Sequence, residues 1–203
     1  MIDDIRADVS RETIDRLAHY MDMLIRWNQK INLVSPATIA DAEERHLADS
    51  LQLADLAPEG VKRWVDIGSG GGFPGLPLAI LFAERSDPPE FILIESDQRK
   101  AAFLGAVIRE TSVKARVVCG RAEITPSLGA DIVSARAVAS LERLLAYMHR
   151  HAKPGATGLF PKGRRWREEL SLASQHWRFD HRVIPSRTDP ESVIFEIGEL
   201  RLV

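Results

Sequence analysis

The sequence is poor in cysteine, in long apolar runs and in excess charge of either sign. A single thiol, Cys119, cannot close a disulfide within the chain, and the six histidines show no zinc-type spacing, so we expect no bound metal. No apolar stretch is long enough to span a bilayer, and the charged residues 1–6 do not resemble a signal peptide. These absences favour a cytoplasmic protein.

The net charge of the chain is small. Lysine and arginine together number 27 against 29 aspartates and glutamates, which gives a formal charge of −2. This balance excludes a globally basic nucleic-acid-binding protein, but it leaves room for a local basic face. A chain of 203 residues, 45% of them hydrophobic, is long enough to bury one sizeable core, and we expect it to be a monomer.

The pattern of the chain changes near residue 60. Apolar residues recur three and four apart over 10–33 and 39–56, which predicts two helices before the first strand. Strands and helices alternate along the rest of the chain. We therefore predict that residues 1–58 form a helical cap, which is part of the same domain as a core over residues 59–203.

The alternating part predicts an α/β protein. Strands such as Phe91–Ile94 are continuously apolar, as expected where helices cover both faces of a parallel sheet. Near the C-terminus, 178–184 and 192–197 are strand-like and have only a polar turn between them, which predicts an antiparallel hairpin at the sheet edge. The other predicted strands lie at 62–67, 90–95, 115–119, 131–135 and 156–160, and the helices between them lie near 75–84, 98–111 and 140–151.

A glycine-rich turn follows the first predicted strand. Glycine lets a backbone turn sharply and lets a ligand approach it closely, so a strand, this turn and a helix start predict a nucleotide-type site. The literal G-x-G-x-x-G from Gly70 to Gly75 is a weak signal, and the acid Asp66 ahead of Gly68 and Gly70 is a more telling one. No Lys-Ser/Thr pair follows the glycines, which excludes a triphosphate-binding P-loop.

Candidate site residues follow the next three predicted strands. Glu95 ends the second strand, where its carboxylate would accept hydrogen bonds from a ribose or simply cap the next helix. Ala122 and Glu123 follow the third strand, where they would bracket an adenine or lie in an ordinary surface loop. Arg136 follows the fourth strand, and it needs a carboxylate partner, either Asp66, Glu123 or a ligand. The carboxyl ends of parallel strands meet at one edge, so these side chains are expected to share a site.

A basic segment follows the fifth predicted strand. Such a segment at a strand end would contact phosphates and stack a base, or else it would form a solvated helix face. Its members are Lys162, Arg164, Arg165 and Arg167, beside Trp166.

Two further positions are assigned no chemistry. His46 and Asp49 have helical spacing but offer too few ligands for a metal, so they are interpreted as a local polar pair. Cys119 lies in an apolar strand, which favours a core residue over a nucleophile.

Taken together, these motifs resemble the bacterial small-subunit ribosomal RNA methyltransferase G family, also called glucose-inhibited division protein B. The resemblance spans nearly the whole chain in order, while the tail over 178–203 matches only in general pattern. The matching segments are Trp27–Leu33, Arg45–Leu51, Asp66–Leu78, Glu95–Ser96 with Arg99, Lys100, Phe103 and Leu104, Arg121–Glu123, Ala135–Ala137 with Leu141, and Lys162–Gly163.

The resemblance implies a Rossmann-like class I methyltransferase that uses S-adenosylmethionine, with a mostly parallel seven-stranded sheet. It implies methylation of N7 of a guanosine in 16S rRNA, in a loop near the decoding site, with the small ribosomal subunit as partner. The cofactor-binding residues carried over by motif are Gly68, Phe73, Ala122, Glu123 and Arg136, and the general methyltransferase pattern adds Gly70 and Glu95.

The residues agree with this reaction. Guanine N7 has a lone pair and no proton, so its attack on a methyl group needs positioning and water exclusion rather than a general base. The sequence lacks both the Asn/Asp-Pro-Pro-aromatic segment of many amino-group methyltransferases and the Pro-Cys nucleophile of the cytosine C5 type. No catalytic residue is therefore assigned.

Two other functions stay open. The literal G-x-G-x-x-G is also typical of nicotinamide-dependent oxidoreductases, although the chain has no separate substrate domain. A non-catalytic rRNA-binding assembly factor would share every basic residue, but it would have no need for Gly68, Glu95 and Arg136 together.

Overall fold

The computed structural model shows one seven-stranded sheet, and it describes residues 9–35 and 43–203, apart from the side chains of 43–45. The strands are β1 (Arg63–Ile67), β2 (Glu90–Glu95), β3 (Ala115–Cys119), β4 (Ala130–Ser134), β5 (Ala152–Lys162), β6 (Trp177–Pro185) and β7 (Val193–Leu202). Their order across the sheet is β3-β2-β1-β4-β5-β7-β6. The first five strands are parallel, and β7 runs antiparallel to both β5 and β6. The predicted sheet with its C-terminal hairpin is confirmed.

Five helices of eight or more residues lie among the described residues. They are α1 (Arg11–Asn28), α2 (Gly75–Phe82), α3 (Gln98–Thr111), α4 (Leu141–His151) and α5 (Trp166–His176). The helices α2, α3 and α4 match their predicted ranges closely. None of the helices in the described ranges is long and apolar enough to cross a membrane.

The N-terminal part is less helical than its periodicity predicts. Ser10 caps α1 by accepting a hydrogen bond from Thr13 N at 3.1 Å, but α1 ends at Asn28 rather than near residue 33. The Asn28 side chain accepts hydrogen bonds from Leu33 N and Val34 N, which turns the backbone out of the helix. The helix predicted over 39–56 is a chain of short turns in its described part, and residues 39–42 lie outside the described residues. These turns are π-helical Glu43–Ala48, α-helical Asp49–Leu51 and 3₁₀-helical Gln52–Leu56.

Apolar side chains form one cluster on each face of the sheet. On one face, α1, α2 and α3 pack around the fully buried Trp64, which lies 5.4 Å from Phe91 and 6.0 Å from Phe82 between ring centroids. On the other face, α4 and α5 pack against each other and cover β4, β5 and β7. Because both faces of the central strands are covered, their carboxyl ends are the part of the sheet that remains open to a ligand.

Two local features differ from the sequence prediction. The helix α5 is not predicted, and only Ala173 is fully buried in it, so few of its side chains mark a face that packs on the core. The prediction that Cys119 belongs to the core is wrong, since its thiol is exposed. The reason is its strand: β3 pairs only with β2 and forms an edge of the sheet, so its outer residues are left partly uncovered.

Candidate active site

The glycine turn is bound directly to the neighbouring strand. Gly68 N and Ser69 N both donate hydrogen bonds to Ile94 O, at 2.9 and 3.1 Å. Gly68 and Gly70 have φ values of +65° and +55°, in the left-handed region that favours glycine. From the helical side, Tyr20 on α1 donates its hydroxyl hydrogen bond to Gly71 O at 2.6 Å. The turn is thus fixed between β2 and α1 at the carboxyl edge of the sheet.

Glu95 lies beneath this turn and supports it. Its side chain is nearly buried, its Oε2 accepts a hydrogen bond from Gly70 N at 2.8 Å, and its Oε1 accepts one from Asp97 N at 2.8 Å. The alternative that Glu95 caps the next helix is wrong, because Asp97 is the N-cap residue of α3. Each carboxylate oxygen has a second lone pair, so Glu95 can also accept hydrogen bonds from ligand hydroxyls.

The variant Glu95→Gln is expected to weaken the binding of S-adenosylmethionine, the cofactor that the family resemblance implies, by about 10- to 100-fold. A hydrogen bond to a charged acceptor contributes about 1.5–3 kcal/mol. In the variant, the side-chain amide would also turn its N–H group toward Gly70 N or Asp97 N, which are themselves donors and cannot accept a hydrogen bond. The measurement is calorimetric titration. Glu90→Gln is the matched control, since Glu90 lies at the other end of β2 and pairs with Arg63 and Arg116. Equal affinity of the Glu95 variant and the control would contradict the role of Glu95.

Asp66 occupies a fully buried position at the end of β1. Ser134 donates its hydroxyl hydrogen bond to Asp66 Oδ1 at 2.7 Å, and it accepts one from Trp64 Nε1 at 2.9 Å. Burial raises the pKa of Asp66 to about 6, against the smaller opposing effect of the Ser134 hydrogen bond. Close packing of α2 on β1 contributes to this burial, because a Cβ on Gly75 would lie only 3.1 Å from Asp66 Oδ2.

We expect stability to depend on the protonation of Asp66. Its pKa of about 6 in the folded chain exceeds the ordinary value of 3.8, so the folded state binds the proton more tightly than the unfolded state. Relative to Asp66→Asn, the wild-type free energy of unfolding should therefore rise by up to about 3 kcal/mol as the pH falls from about 7 to 4. Denaturant titration of both proteins across this range measures the difference.

Asp131 provides a control of opposite sign. Although burial opposes the shift, hydrogen bonds from Lys153 and from the backbone of Arg63 and Lys62 lower the pKa of Asp131. The wild type should therefore lose stability relative to Asp131→Asn as the pH falls. A pH-independent difference between wild type and Asp66→Asn would contradict the assignment for Asp66.

A cavity of about 270 Å³ lies beside the glycine turn. Ala122 is buried in its wall, and Glu123 accepts a hydrogen bond from the Tyr147 hydroxyl at 2.7 Å and pairs with Arg143. The Tyr147 hydrogen bond is the main reason that the pKa of Glu123 is lowered to about 2, so this side chain is ionised at neutral pH. The lining residues are Ile67, Gly68, Ile94, Ser96, Gly120, Arg121, Ala122, Glu123, Val138, Arg143 and Tyr147.

One face of α4 holds the loop that forms this wall. Arg143 and Tyr147 bind Glu123, and the fully buried His151 lies with its Nε2 2.9 Å from Ala122 O. These three residues follow one another at i, i+4 spacing, which places them on a single helix face. Their roles are absent from the sequence prediction, and this spacing is the signal that points to them.

Arg136 and Phe73 lie on the other side of the turn. Arg136 pairs with Asp49 at 3.3 Å, and its guanidinium lies 5.0 Å from the Phe73 ring centroid. The predicted need for a carboxylate is met, but by Asp49 rather than by Asp66 or Glu123. Asp49 also accepts hydrogen bonds from Gln52 and Thr188, so its partners extend well beyond the local pair with His46 that the spacing predicts. Phe73 itself is buried in the core, 4% exposed.

A second cavity of about 560 Å³ adjoins the first, and Val138 lines both. The Val138 side chain rests directly on the glycine turn, since an ideal Cβ built on Gly68 would lie 2.0 Å from Val138 Cγ2. Arg136, Lys162 and Glu169 line the second cavity. Of the predicted residues, Gly68, Ala122 and Glu123 line the first cavity, and Arg136, Lys162 and Arg165 line the second. The predicted cofactor residues Gly70, Phe73 and Glu95 line neither cavity.

The basic segment is not uniform. Lys162 has a side chain that is only 8% exposed and pairs with Glu169 at 2.6 Å. Arg164 and Arg165 are 76% and 75% exposed and form only loose pairs, with Glu191 at 3.6 Å and with Glu168 at 3.8 Å. Arg167 is exposed as well and lies 4.1 Å above the Trp166 ring. Three cations of the segment thus face solvent, while the fourth is turned inward.

The first cavity suits a nucleoside that carries positive charge. Apolar side chains of Ile67 and Ile94 offer a surface for a ring, and Glu123 supplies a carboxylate for amino or cationic groups. Glu95 does not line this cavity, but its carboxylate lies against the adjoining glycine turn, where it can accept hydrogen bonds from ligand hydroxyls. Across the described residues, no group of three or more histidine, cysteine, aspartate or glutamate side chains has the geometry of a metal site. S-adenosylmethionine has the properties that this donor set selects, because it combines an adenosine with a sulfonium and an ammonium.

The strand order, the glycine turn after β1 and the carboxylate after β2 define a class I Rossmann-like methyltransferase. Solved structures agree on this fold. An S-adenosylmethionine-dependent methyltransferase from Aquifex aeolicus matches with a TM-score of 0.58 at 16% identity, over 82% of this chain and 98% of that chain. A mutant of MtNAS, solved in complex with S-adenosylmethionine, matches with a TM-score of 0.59 at 15% identity, over 90% and 74% of the two chains.

Sequence comparison identifies the family. The family model described as rRNA small subunit methyltransferase G matches residues 13–191, and the chain belongs to this family. The Ribosomal RNA small subunit methyltransferase G of Ruegeria pomeroyi is 47% identical over 190 residues, which are 94% of this chain and 93% of the relative. That of Rhodospirillum centenum is 50% identical over 192 residues, which are 95% and 87% of the two chains. The protein is thus an S-adenosylmethionine-dependent rRNA methyltransferase.

Proposed function

We propose that this protein methylates N7 of a guanosine in 16S rRNA, in a loop near the decoding site, on the small ribosomal subunit in the cytoplasm. Its family membership sets the cofactor and the class of substrate. The choice of N7 rests on one observation: both carboxylates that line the second cavity are occupied by cations, Asp49 by Arg136 and Glu169 by Lys162.

A guanine N7 needs no carboxylate to accept a proton. Its lone pair forms the new C–N bond while the S–CH₃ bond breaks, and the electron pair of that bond goes to sulfur. No proton leaves N7, and the base becomes positively charged. An exocyclic amine would instead have to lose a proton to a base. A cavity whose carboxylates already accept hydrogen bonds from Arg136 and Lys162 suits the first reaction better than the second.

The chain contributes binding, orientation and exclusion of water. When bound, S-adenosylmethionine supplies an electrophilic methyl group on a sulfonium. Gly68 and Glu95 hold its nucleoside end, and the apolar Val138 forms the boundary across which base and methyl group meet. Positioning of this kind is the main contribution that such a displacement needs from the protein.

The exposed arginines supply the RNA contact in this proposal. The exposed part of the basic segment starts directly after Gly163, which lines the second cavity. It contains Arg164, Arg165 and Arg167. Surface ion pairs such as those of Arg164 and Arg165 contribute little, so both guanidinium groups can exchange a carboxylate for a phosphate. Trp166 is turned toward Phe195 and Arg167, so base stacking on it is not part of the proposal.

The test is methyl transfer to small subunits from cells that lack this protein. Labelled S-adenosylmethionine should give one modified guanosine near the decoding site, and chemical cleavage specific for 7-methylguanosine should locate it. Label on another base or another atom would contradict the N7 assignment. Absence of transfer to free 16S rRNA and to every subunit form would favour a non-catalytic assembly factor, and tight binding of NAD(P)H without S-adenosylmethionine binding would favour an oxidoreductase.

A further inference from the structure

The loop Arg136–Ser140 forms the boundary between the two cavities, and it is bound at both ends. At its first residue, Arg136 pairs with Asp49 at 3.3 Å. At its far end, Lys162 donates a hydrogen bond to Ala139 O at 2.7 Å. Between these anchors, Ala137 has a φ of +56°, a conformation that costs free energy for any residue with a side chain. The loop is therefore held in a conformation that it would not adopt unaided.

Lys162 and Glu169 form the anchor at the far end. The ammonium of Lys162 lies 2.6 Å from Glu169 Oε2, and the same carboxylate oxygen accepts a hydrogen bond from Leu141 N at 2.8 Å. Leu141 is the first residue of α4, whose N-cap residue Ser140 makes no side-chain capping bond. Glu169 thus caps α4 from a different helix, in the place where the helix dipole favours negative charge.

The anchored loop determines where Val138 lies. Val138 is the central residue between the two anchors, and its side chain rests on Gly68 while lining both cavities. Release of Ala139 O or Leu141 N would let the strained backbone relax and would move Val138 away from the glycine turn. The distance between a methyl group in the first cavity and a base in the second depends on this residue.

We propose that Lys162 and Glu169 are positioning residues for methyl transfer, which act by holding the Arg136–Ser140 loop, and that Lys162 makes no RNA contact. The geometry favours this over phosphate binding, because the ammonium is nearly buried and already has two acceptors, Glu169 and Ala139 O. Moving it to a phosphate would leave both acceptors and the Leu141 cap without their cation. The inference rests on the proposed function, since it assigns a task in that reaction.

The test combines amide hydrogen exchange with RNA binding. In cofactor-free Lys162→Met, the amides of residues 137–141 should exchange at least about tenfold faster than in wild type, because their anchor is lost. The turnover number at saturating RNA should fall by about 10- to 100-fold, as expected for a displaced reacting geometry. The salt dependence of RNA affinity should keep its wild-type slope, because no phosphate contact is removed.

The controls use the same strand and the same pair. Lys153→Met removes a lysine at the opposite end of β5, paired with Asp131, and should leave loop exchange, turnover and salt slope unchanged. Lys162→Met alone leaves the Glu169 carboxylate without its cation, which can prevent folding. The double variant Lys162→Met with Glu169→Gln removes both charges, so the test can still be made with it if the single variant does not fold. Its turnover number should be no lower than that of the single variant, because Lys162 and Glu169 belong to the same anchor and its loss counts only once.

The contrary result has two parts in Lys162→Met: the slope of log RNA affinity against log salt concentration decreases in magnitude by about 0.7, and amide exchange at residues 137–141 is unchanged. That result would show that Lys162 is an RNA contact. Exchange is measured without RNA or cofactor, so it tests the anchor even if the proposed reaction fails. Failure of the proposed function would appear in the wild type, as absence of transfer to guanine N7.

Discussion

Replacing Gly68 with aspartate is expected to weaken S-adenosylmethionine binding by about 100-fold or more, which corresponds to about 2.7 kcal/mol. Gly68 has a φ of +65°, and any Cβ at this position would lie 2.0 Å from Val138 Cγ2. Placing side-chain atoms in filled space costs about 1–3 kcal/mol, and the added carboxylate would occupy the space beside the turn where the ligand must approach the backbone. Calorimetric titration with S-adenosylmethionine gives the affinity.

The backbone strain in this variant needs its own control. Gly60 has a similar φ of +74° but no atom within 4 Å of an ideal Cβ. Gly60→Asp should therefore lose stability from strain alone and keep its affinity for the cofactor. If both variants bind S-adenosylmethionine as the wild type does, the glycine turn is not the cofactor site, and the assignment of the first cavity fails.

Neutralising Arg164, Arg165 and Arg167 together is expected to make the salt dependence of RNA binding less steep. The slope of log affinity against log salt concentration should decrease in magnitude by about 2. Each phosphate contact on single-stranded nucleic acid contributes about 0.7 to the slope on logarithmic axes. A decrease of 2 in the magnitude of this slope corresponds to about 100-fold weaker RNA binding at about 0.1 M salt. The measurement is RNA affinity of the three-fold glutamine variant over about 50–200 mM salt.

An equal change in net charge elsewhere separates local contact from bulk charge. Arg116, Arg182 and Arg201 are exposed arginines on β3, β6 and β7, each beside a glutamate. Their three-fold glutamine variant should keep a slope close to that of the wild type. A slope that falls equally in both variants would show that the segment after β5 has no special part in RNA binding.

The sequence predicts most of the fold because the relevant signals are local. Continuous apolar runs mark the buried parallel strands, and the helices α2, α3 and α4 occupy the segments between them. The C-terminal hairpin follows from two strand patterns separated by a short polar turn. The helix α5 and the edge position of Cys119 are missed, because burial there depends on which strands and helices are neighbours.

The candidate site is predictable to the extent that topology alone assembles it. Parallel strands bring their carboxyl ends to one edge, so Gly68, Glu95, Ala122 and Glu123 lie around the glycine turn as the sequence order requires. Side-chain partners far along the chain do not follow from that order. Asp49 and Arg136 are separated by 87 positions, and their pairing depends on how the short turns before β1 pack against the loop after β4.

The sequence by itself determines the class of this protein: a parallel sheet with a glycine turn after its first strand, acids and bases after the following strands, and the motifs of one rRNA methyltransferase family. Only the tertiary structure decides what each charge does. Lys162 and Arg164 are two residues apart in one basic segment, yet one is buried against Glu169 and the other faces solvent. A sequence pattern records that a cation is present, but burial and partners fix its role, because desolvation and pairing depend on the packed neighbours in three dimensions.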